Sequence, residues 1–435
     1  MGDRMYLKTT PEQSNDPETI ARAARNALQV LAVAPTDRKN AALLALADRL
    51  ERCRDEVIAA NEADLAAARD GGVAENLVKR LRFGGQKIAG RVRSLRKIAA
   101  LPDPVGQTIR AERRPNGLEV ARVRVPLGVV LNVFEARPHV TVNAGAFCLK
   151  AGNAAILRGG SEARQCNALL GRFWHDALAE AGLPTGAVQV VGGSHDMVHE
   201  LLHLDQWIDL VIPRGGKELV EAVARQSRIP VIKHFEGVCH VYLDEQFELN
   251  KAIDVALDSK CLMPEVCNAM ETLLVSEACR QQLPAIVEAF RREGVAVRGC
   301  PRTREIAADV EPAGDDDWRT EYLDLIVSIR VVPGVEEAID HINHYGSHHT
   351  DVIVTGRLAA AERFAERVDS GVVLVNASTM FCDGESLGMG AEIGISTDRL
   401  HARGPMGLEE LTTYKFIIRG RGHIMGPPRT EQESP

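Results

Sequence analysis

Apolar residues recur at helical spacing over residues 16–101, in a stretch rich in Ala, Leu, Glu and Arg. Residues three and four positions apart share one face of a helix, so this stretch predicts a helical segment. Pro35-Thr36-Asp37 marks one break. Gly71-Gly72 is typical of a helix C-terminus and predicts the end of the second helix.

The pattern changes after residue 108. GLEVARVRV alternates apolar and charged residues, so residues 109–125 predict an exposed, hairpin-like strand pair. From Gly128 onward, short apolar runs alternate with helical patterns such as those at 161–181 and 216–227. The strand-like runs are GVVLNVF, AAILR, VQVV, IDLVI, PVI, CHVYLD, ETLLV, LIVSIRVV, DVIVT and VVLVN.

Near-continuous apolar strands between helices indicate parallel sheets covered on both faces. The number of strands is enough for two sheets, so we expect an α/β protein with two α/β domains. LTTYKFIIRGRGHIM predicts a final strand, and residues 426–435 predict a loose tail.

Charge and cysteine usage exclude several classes of protein. The chain of 435 residues has 52 Lys+Arg against 60 Asp+Glu, a net charge of −8, so no global basic surface predicts nucleic acid or anionic lipid as a partner. No apolar stretch resembles a signal peptide or a membrane span. Nine cysteines without CxxC spacing predict reduced thiols and a cytoplasmic location.

Glycine pairs stand at three predicted strand-to-helix turns. They occur in Arg158-Gly159-Gly160-Ser161, Gly192-Gly193-Ser194 and Arg214-Gly215-Gly216-Lys217. Glycine lets backbone N–H groups approach an anion at a helix N-terminus, and neighbouring cations add positive charge. The turns are compatible with a phosphate-rich cofactor, although tight turns without a ligand give the same pattern.

Two further motifs bear on chemistry. Cys267 follows a loop broken by Pro264 and precedes a strand, so it is a candidate nucleophile, although an ordinary semi-buried cysteine remains an alternative. The cluster His341, His344, His348 and His349 suggests a metal site, but no second ligand group accompanies it. We therefore expect no metal and interpret the cluster as a hydrogen-bonded loop that seats a substrate or packs.

Several long strings occur together between residues 19 and 415. The most specific is V-x5-AIDHINHYGSHHTDVI from Val332. The others are VPLGVVLNVFEARPHVTVNAGAFCLKAGNAAILRGGSEA, IPVIKHFEGVCHVYLD, CNAMETLLV and GAEIGISTDRLHARGPMGLEELTTYK. Together these strings resemble the gamma-glutamyl phosphate reductases of the aldehyde dehydrogenase superfamily.

The resemblance implies an aldehyde dehydrogenase-like α/β fold. A Rossmann-like NADPH-binding domain would comprise 1–108 and 127–236, and an α/β catalytic domain would comprise 237–397. A small β-element at 109–126 and 411–425 would serve as the oligomerisation arm of a homodimer or higher homo-oligomer.

The activity implied is NADPH-dependent reduction of L-glutamyl 5-phosphate to L-glutamate 5-semialdehyde, with release of phosphate, in proline biosynthesis. By resemblance, Cys267 is the nucleophile that forms a glutamyl thioester. The wider superfamily supplies an Asn as an oxyanion donor where this chain has Ala136, so the second donor is unidentified and Asn268 is one candidate.

A second departure concerns water. Hydrolytic aldehyde dehydrogenases carry a water-activating Glu where this chain has His234, in KHFEG. An enzyme that reduces a thioester must not hydrolyse it, so this loss is chemically consistent. His234 is then either catalytic or simply packed, and Glu236 is close enough in sequence to keep a carboxylate role open.

The resemblance also implies binding residues. Arg158 would contact the adenosine ribose and its 2′-phosphate, and Glu321 the nicotinamide ribose. Arg137, His139 and His349 are candidates for the substrate's phosphate and carboxylates. The residues expected to line the cofactor's diphosphate are Gly159, Gly160, Gly192, Gly193, Arg214, Gly215 and Gly216.

Two alternatives remain from sequence. One is a hydrolytic NAD(P)-dependent aldehyde dehydrogenase, and the other is a non-catalytic binding protein on the same fold. A glutamate 5-kinase is a possible partner, because an acyl phosphate is short-lived in water.

Overall fold

The computed structural model describes residues 16–390 and 392–426. The predicted tail at 426–435 therefore lies outside the described residues except for Gly426. The α-helices, in chain order, are α1 (Pro17–Leu31), α2 (Thr36–Arg52), α3 (Arg54–Asp70), α4 (Glu75–Leu81), α5 (Gly85–Ala100), α6 (Pro138–Lys150), α7 (Arg164–Glu180), α8 (His195–Leu201), α9 (Lys217–Gln226), α10 (Leu249–Cys261), α11 (Leu283–Arg292), α12 (Pro301–Ile306), α13 (Val335–Tyr345) and α14 (Leu358–Arg367).

The strands are β1 (Thr108–Arg113), β2 (Glu119–Pro126), β3 (Val129–Phe134), β4 (Ala154–Gly159), β5 (Val188–Val191), β6 (Leu210–Arg214), β7 (Cys239–Leu243), β8 (Met270–Ser276), β9 (Ala296–Gly299), β10 (Glu311–Pro312), β11 (Ile326–Val332), β12 (Thr350–Val354), β13 (Val372–Val375), β14 (Gly394–Ser396), β15 (Gly404–Met406) and β16 (Thr412–Arg419). The chain divides into two compact units. Unit 1 contains Met1–Leu131, Arg137–Leu210 and Leu408–Pro435, and unit 2 contains Asn132–Ala136 and Val211–Gly407.

Unit 1 begins with the predicted helical segment. The Asp16 carboxylate accepts the Thr19 N–H at 2.9 Å and caps α1, which buries a face that includes Ile20 and Leu31. The helices break at Cys53, so Gly71 ends the third helix and not the second. Further along, β4 and β5 pair in parallel within a sheet ordered β5-β4-β3-β6.

Unit 1 also contains the predicted hairpin. β1 pairs antiparallel with β2, and β2 pairs antiparallel with β16 from Thr412↔Pro126 to Arg419↔Glu119. The expected strand pair and final strand are thus confirmed as one three-stranded sheet. Its role as an oligomerisation arm stays a prediction.

Unit 2 is built on a seven-stranded sheet ordered β10-β9-β11-β8-β7-β12-β13. Its strand pairs are all parallel. The core includes Val241 on β7, Leu273 on β8 and Phe290 on α11, each fully buried. Parallel strands bring their amino ends to one edge of the sheet, so the segments that precede β7, β8, β11 and β12 meet there.

Some elements differ from the sequence prediction. PVI at 230–232 contributes one isolated bridge, Val231 to Val211, in place of a strand. The short strands β9, β10, β14 and β15 carry little apolar pattern and were not predicted. Contacts place residues 211–236 in unit 2, whereas the sequence grouped them with the cofactor domain, and the role of each domain stays a prediction.

Candidate active site

The amino edge of the sheet in unit 2 gathers four of the predicted site residues. Cys267 lies between α10 and β8, His234 lies before β7, Glu321 before β11 and His349 directly before β12. Because β11, β8, β7 and β12 are neighbours in the sheet, the segments that carry these side chains converge.

Cys267 is partly exposed, and its loop is fixed by a close backbone contact with Gly237. A Cβ atom on Gly237 would lie 1.8 Å from the Cys267 carbonyl oxygen, so no other residue fits without displacing this loop. The Gly237 N–H donates to Oε1 of Glu321 at 2.8 Å. Glu321 is thereby tied to the loop that supports the candidate nucleophile.

Charges of both signs act on the Cys267 thiol. Burial raises its pKa to about 11, Arg214 favours the thiolate and lowers the pKa, and Glu321 and Glu392 raise it. The thiol is therefore protonated at neutral pH in the unliganded protein. Arg214 is the cation that opposes protonation of the thiol. The sequence did not suggest this role for Arg214 at the candidate nucleophile.

A buried thiol and a buried imidazole lie beneath this loop. Cys239 Sγ donates to the Cys267 carbonyl at 3.3 Å and lies 3.8 Å from His349 Nδ1. His349 Nδ1 is 2.8 Å from Thr350 Oγ1, and its buried Nε2 has no hydrogen-bond partner among the described residues. Burial lowers the pKa of His349 to about 3, so its ring is neutral, and its part in substrate binding stays a prediction.

Asn268 is placed for a structural contact. Its Nδ2 donates to the carbonyls of Thr379 at 3.1 Å and Cys382 at 3.4 Å. Both amide hydrogens thus have backbone acceptors, and this geometry supports anchoring of the loop after Cys267. A role for Asn268 as an oxyanion donor stays a prediction.

His234 and Glu236 lie just before Gly237. His234 Nδ1 is 3.2 Å from the Ile395 carbonyl, and the His234 and His349 rings meet edge to face with centroids 5.8 Å apart. Glu236 accepts from Lys217 Nζ at 2.8 Å. The Glu236 carboxylate is therefore held by a cation, while either interpretation of His234 remains open.

The glycine turns of unit 1 differ in what occupies them. At Gly159-Gly160, the first N–H groups of α7 are capped by Asp64, which accepts from Gln165 at 3.0 Å and Cys166 at 2.9 Å. Gly160 is crowded, because a Cβ there would lie 2.2 Å from Glu162 Oε1. This helix terminus thus already holds an anion from the chain itself.

The turn at Gly192-Gly193 has open space on one side. Gly193 has φ +127 and its Cβ would lie 2.3 Å from Met197 Sδ, while Gly192 faces open space. Arg158 is 7% exposed and its Nη2 donates to the Gly193 carbonyl at 3.1 Å. Arg158 Nε is buried without a partner among the described residues, and the part of Arg158 in cofactor binding stays a prediction.

The turn at Gly215-Gly216, in unit 2, holds a carboxylate that the sequence analysis missed. The Gly216 N–H at the start of α9 donates to Glu135 Oε1. Gly215 is required there, because its Cβ would lie 2.7 Å from the same oxygen. Carboxylates of the protein thus lie at two of the glycine turns, and binding of a cofactor's diphosphate there stays a prediction.

Arg137 and His139 lie in unit 1 at the start of α6, where Arg137 is the residue before the first turn. Ala136, directly before them, has a left-handed φ of +44. The part of Arg137 and His139 in substrate binding stays a prediction.

The histidines of the cluster contact different partners and do not form one common site. Arg330 Nη1 lies 3.1 Å from His341 Nδ1, and Arg319 Nη2 lies 2.8 Å from His344 Nε2. His348 Nδ1 lies 2.6 Å from the Asp369 carbonyl. Within residues 16–390 and 392–426, no group of three or more His, Cys, Asp or Glu side chains could hold a metal ion.

Gly237, Cys239, Glu135 and Glu392 are the site residues that sequence reasoning missed. Each acts through a contact between segments far apart in the chain, and no local pattern marks them.

In the part of the chain that is described, no helix combines the length and apolar character that a bilayer requires.

Comparisons with known proteins agree with this architecture. The aldehyde dehydrogenase family model matches residues 3–294. The crystal structure of gamma-glutamyl phosphate reductase from Thermotoga maritima is 43% identical with a TM-score of 0.92, and the match covers 94% of this chain and 100% of that one. The enzyme of the same name from Saccharomyces cerevisiae is 33% identical with a TM-score of 0.53, over 95% and 99% of the two chains.

A more distant match shows the fold alone. Glyceraldehyde-3-phosphate dehydrogenase from Methanocaldococcus jannaschii, in complex with NADP, is 16% identical with a TM-score of 0.64, over 96% of this chain and 97% of that one. With the family model and the two closer structures, the conclusion is direct: this chain belongs to the aldehyde dehydrogenase family and, within it, to the gamma-glutamyl phosphate reductases.

Proposed function

We propose that this chain reduces L-glutamyl 5-phosphate to L-glutamate 5-semialdehyde, with NADPH as reductant and release of phosphate, in proline biosynthesis. Family membership supports the reaction. The observation in the structure that carries it is the Cys267 loop, where a partly exposed thiol is fixed by Gly237 and each neighbouring carboxylate accepts a hydrogen bond from another group.

Cys267 supplies the nucleophile. Once it has lost its proton, the thiolate attacks the acyl carbon, a C–S bond forms, and the C–O bond to phosphate breaks with its electron pair on the leaving phosphate. Arg214 favours the thiolate, as does the backbone N–H of Cys267 itself. That N–H is also a candidate donor to the oxyanion of the tetrahedral states.

Three carboxylates around the Cys267 loop each accept a hydrogen bond. Lys217 donates to Glu236, the Gly237 N–H donates to Glu321 and the Gly384 N–H donates to Glu392. His234 stands where hydrolytic relatives carry the water-activating Glu. These residues leave the thioester intact until it is reduced.

The cofactor, when bound, supplies the hydride that converts the thioester into a thiohemiacetal on Cys267. Arg158, Gly192 and Gly193 would hold its adenosine half, and Glu321 its nicotinamide ribose. Arg137, His139 and His349 would bind the substrate's phosphate and carboxylates. Release of the aldehyde returns Cys267 to its thiol form.

The test runs the reaction in reverse, because the forward substrate is labile. Pyrroline-5-carboxylate, the cyclised product, and NADP⁺ are supplied with and without inorganic phosphate, and NADPH formation is followed by absorbance. We expect formation to require phosphate. Formation that ignores phosphate would mean that water resolves the thioester, as in a hydrolytic dehydrogenase.

The variant Cys267→Ala separates catalysis from binding. It should abolish turnover while NADPH affinity stays within about twofold of the wild-type value, since no cofactor contact is assigned to this side chain. Cys53→Ala, which alters another partly exposed thiol in unit 1, is the matched control and should retain full activity. Turnover by Cys267→Ala would contradict the nucleophile assignment.

The expected partners follow from chemistry. An acyl phosphate hydrolyses in water, so a glutamate 5-kinase is the class of enzyme that would supply it. We also propose a second copy of the chain as a partner of the β1-β2-β16 sheet. No disulfide joins any of the nine cysteines, which is consistent with a cytoplasmic protein.

A further inference from the structure

A buried ion pair lies in unit 2 behind the Cys267 loop. Lys260, in the last turn of α10, and Glu271, on β8, are both fully buried, with Nζ 2.6 Å from Oε2. Burial of two charges costs more than their attraction returns in most proteins, so a pair of this kind is weak evidence for stability. The role of this ion pair is therefore sought in the contacts that Glu271 makes with neighbouring segments.

The second oxygen of Glu271 reaches another segment. The Leu323 N–H donates to Glu271 Oε1 at 3.4 Å. Leu323 has φ +53, a left-handed backbone conformation that a residue with a branched side chain adopts at a cost in free energy. Glu271 thus holds a strained turn by its backbone, and Lys260 orients Glu271.

That turn is fixed on both sides of Leu323. The Tyr322 hydroxyl donates to Asp317 Oδ1 at 2.7 Å and lies 2.7 Å from Ser328 Oγ. Glu321, at the start of the turn, accepts the Gly237 N–H at 2.8 Å, and Gly237 lies in close contact with the Cys267 carbonyl. A continuous set of contacts therefore runs from Glu271 through the turn to the nucleophile's loop.

We propose that Glu271, with Lys260 as its counter-ion, is a positioning residue for the reaction. It holds the turn at 321–323 so that the Glu321 carboxylate stays between the Cys267 loop and the nicotinamide ribose of the cofactor. Neither Lys260 nor Glu271 touches substrate or cofactor. This inference rests on the proposed function for the role of Glu321.

Two double variants separate positioning from simple packing. K260M/E271Q removes both charges and keeps a side-chain oxygen for the Leu323 N–H. K260M/E271L also removes both charges but leaves that N–H without its acceptor. Neither variant leaves a buried charge unpaired, so we expect both to fold.

Two readouts apply to each variant: the dissociation constant of NADPH by fluorescence titration, and the rate of Cys267 alkylation by iodoacetamide. We expect K260M/E271L to weaken NADPH binding about tenfold or more and to change the alkylation rate, while K260M/E271Q stays within about threefold of wild type. Equal behaviour of the two double variants, with or without a loss relative to wild type, would overturn the proposal.

A rescue tests the strained turn directly. Glycine adopts φ near +53 without strain, so Leu323→Gly added to K260M/E271L should restore much of the NADPH affinity. Failure of this rescue would also count against the proposal. Ile286→Ala, on the buried face of α11, is the control for general loss of stability and should leave both readouts unchanged.

Should K260M/E271L not fold, K260M/E271A replaces it beside K260M/E271Q. Both of these variants lack the two buried charges, and they differ in the acceptor for the Leu323 N–H. Neither readout needs acyl-phosphate chemistry, so both decide the proposal even if the wild-type protein shows no phosphate-dependent turnover. The phosphate requirement tests the proposed function alone.

Discussion

The charges around the Cys267 thiol set its reactivity in the unliganded protein. Burial, Glu321 and Glu392 all disfavour the thiolate, and Arg214 favours it. A protonated thiol resists oxidation and adventitious alkylation, because the thiolate is the reactive species. A bound anion would disfavour the thiolate further, so the reactivity of Cys267 depends on the opposing charge of Arg214.

Changes to the surrounding charges should therefore move Cys267 reactivity in opposite directions. Below a pKa of about 11 the thiolate fraction rises with pH, and any change that lowers the pKa raises that fraction. Arg214→Met should slow iodoacetamide alkylation of Cys267 at about pH 8 by about threefold or more, and Glu392→Gln should accelerate it by a similar factor.

Mass spectrometry of the Cys267 peptide measures this rate, and the Cys53 peptide provides an internal control. Cys53 lies in unit 1, so its rate should not respond to either substitution. A change of the same sign in both variants would contradict the assigned electrostatics.

Gly237 offers a steric test at the same site. Gly237→Ala places a methyl group 1.8 Å from a backbone oxygen, which cannot rotate away, so the Cys267 loop must shift. We expect turnover to fall about a hundredfold, since a displacement of about 1 Å suffices for such a loss. Steady-state kinetics of the reverse reaction measures it.

Gly314→Ala is the control for this substitution, because the atom nearest to its added Cβ is Asp317 Oδ2 at 3.8 Å, an ordinary contact. Its activity should match wild type. Turnover of Gly237→Ala within about twofold of wild type would show that the close contact with Cys267 does not position the nucleophile.

Residue-level prediction named side chains that the structure brings together, while the role of each stays a prediction. Cys267 stands in a recognisable string, and the loop that holds it lies beside Glu321 as expected for one site. Glu135 could not be predicted, because its contact with the Gly216 N–H depends on how β3 and α9 are brought together. No local sequence pattern predicts such a contact.

At the scale of elements, α13 and β12 explain why histidines are frequent in one motif. His341, on α13, packs edge to face on Trp318 and accepts from Arg330. His349, before β12, is buried against His234. Burial lowers the pKa of His341 to about 2 and that of His349 to about 3, so both rings serve as neutral core residues.

Neutral buried histidines predict acid sensitivity. His349 stays neutral in the folded protein down to about pH 3, whereas in the unfolded chain it binds a proton below its ordinary pKa of about 6.5. The unfolded state therefore binds more protons in this range, and stability is lost as pH falls, by about 1.4 kcal/mol per pH unit for one group.

Calorimetry at about pH 7.5 and about pH 5.5 tests this expectation. His349→Asn should lose less in melting temperature on acidification than wild type. His344→Asn, which removes an exposed ring on α13, is the control and should keep the wild-type response. An unchanged response in His349→Asn would mean that its ring is protonated in the folded state.

Strands with a continuous apolar run were predicted from the sequence, and strands without such a run were not. β8 and β12 are fully buried and were evident as continuous apolar runs. β9 is four residues long and only half buried, and β14 and β15 contain glycine, so no periodicity marked them. The apolar run PVI predicted a strand, but in the structure Val231 forms only one isolated bridge, to Val211.

At the scale of the molecule, the location of the site was the least predictable feature. Parallel α/β sheets bind ligands most often at the carboxyl ends of their strands. Here Cys267, Glu321 and His349 all precede their strands, so the site of unit 2 lies at the opposite edge. Strand order decides which preceding loops meet, and that order is not written in any one segment.

The outer strand of the three-stranded sheet argues for assembly with a second copy. β16 is an edge strand of eight residues, and Tyr414, Phe416 and Ile418 project from one face with exposures of 46%, 59% and 60%. A long apolar edge is a site for pairing with another chain. Phe416→Glu combined with Ile418→Glu should convert the protein from a dimer or larger assembly to a monomer.

Size-exclusion chromatography with light scattering at about 10 µM measures the mass directly. Lys415→Gln alters the opposite face of the same strand and should leave the assembly intact, which separates loss of the apolar face from general disturbance of the edge. If the double variant keeps the wild-type mass, β16 is not the interface. If the wild-type protein is itself monomeric, the exposed face must have a partner other than a second copy, and the assignment of this sheet as the oligomerisation arm is wrong.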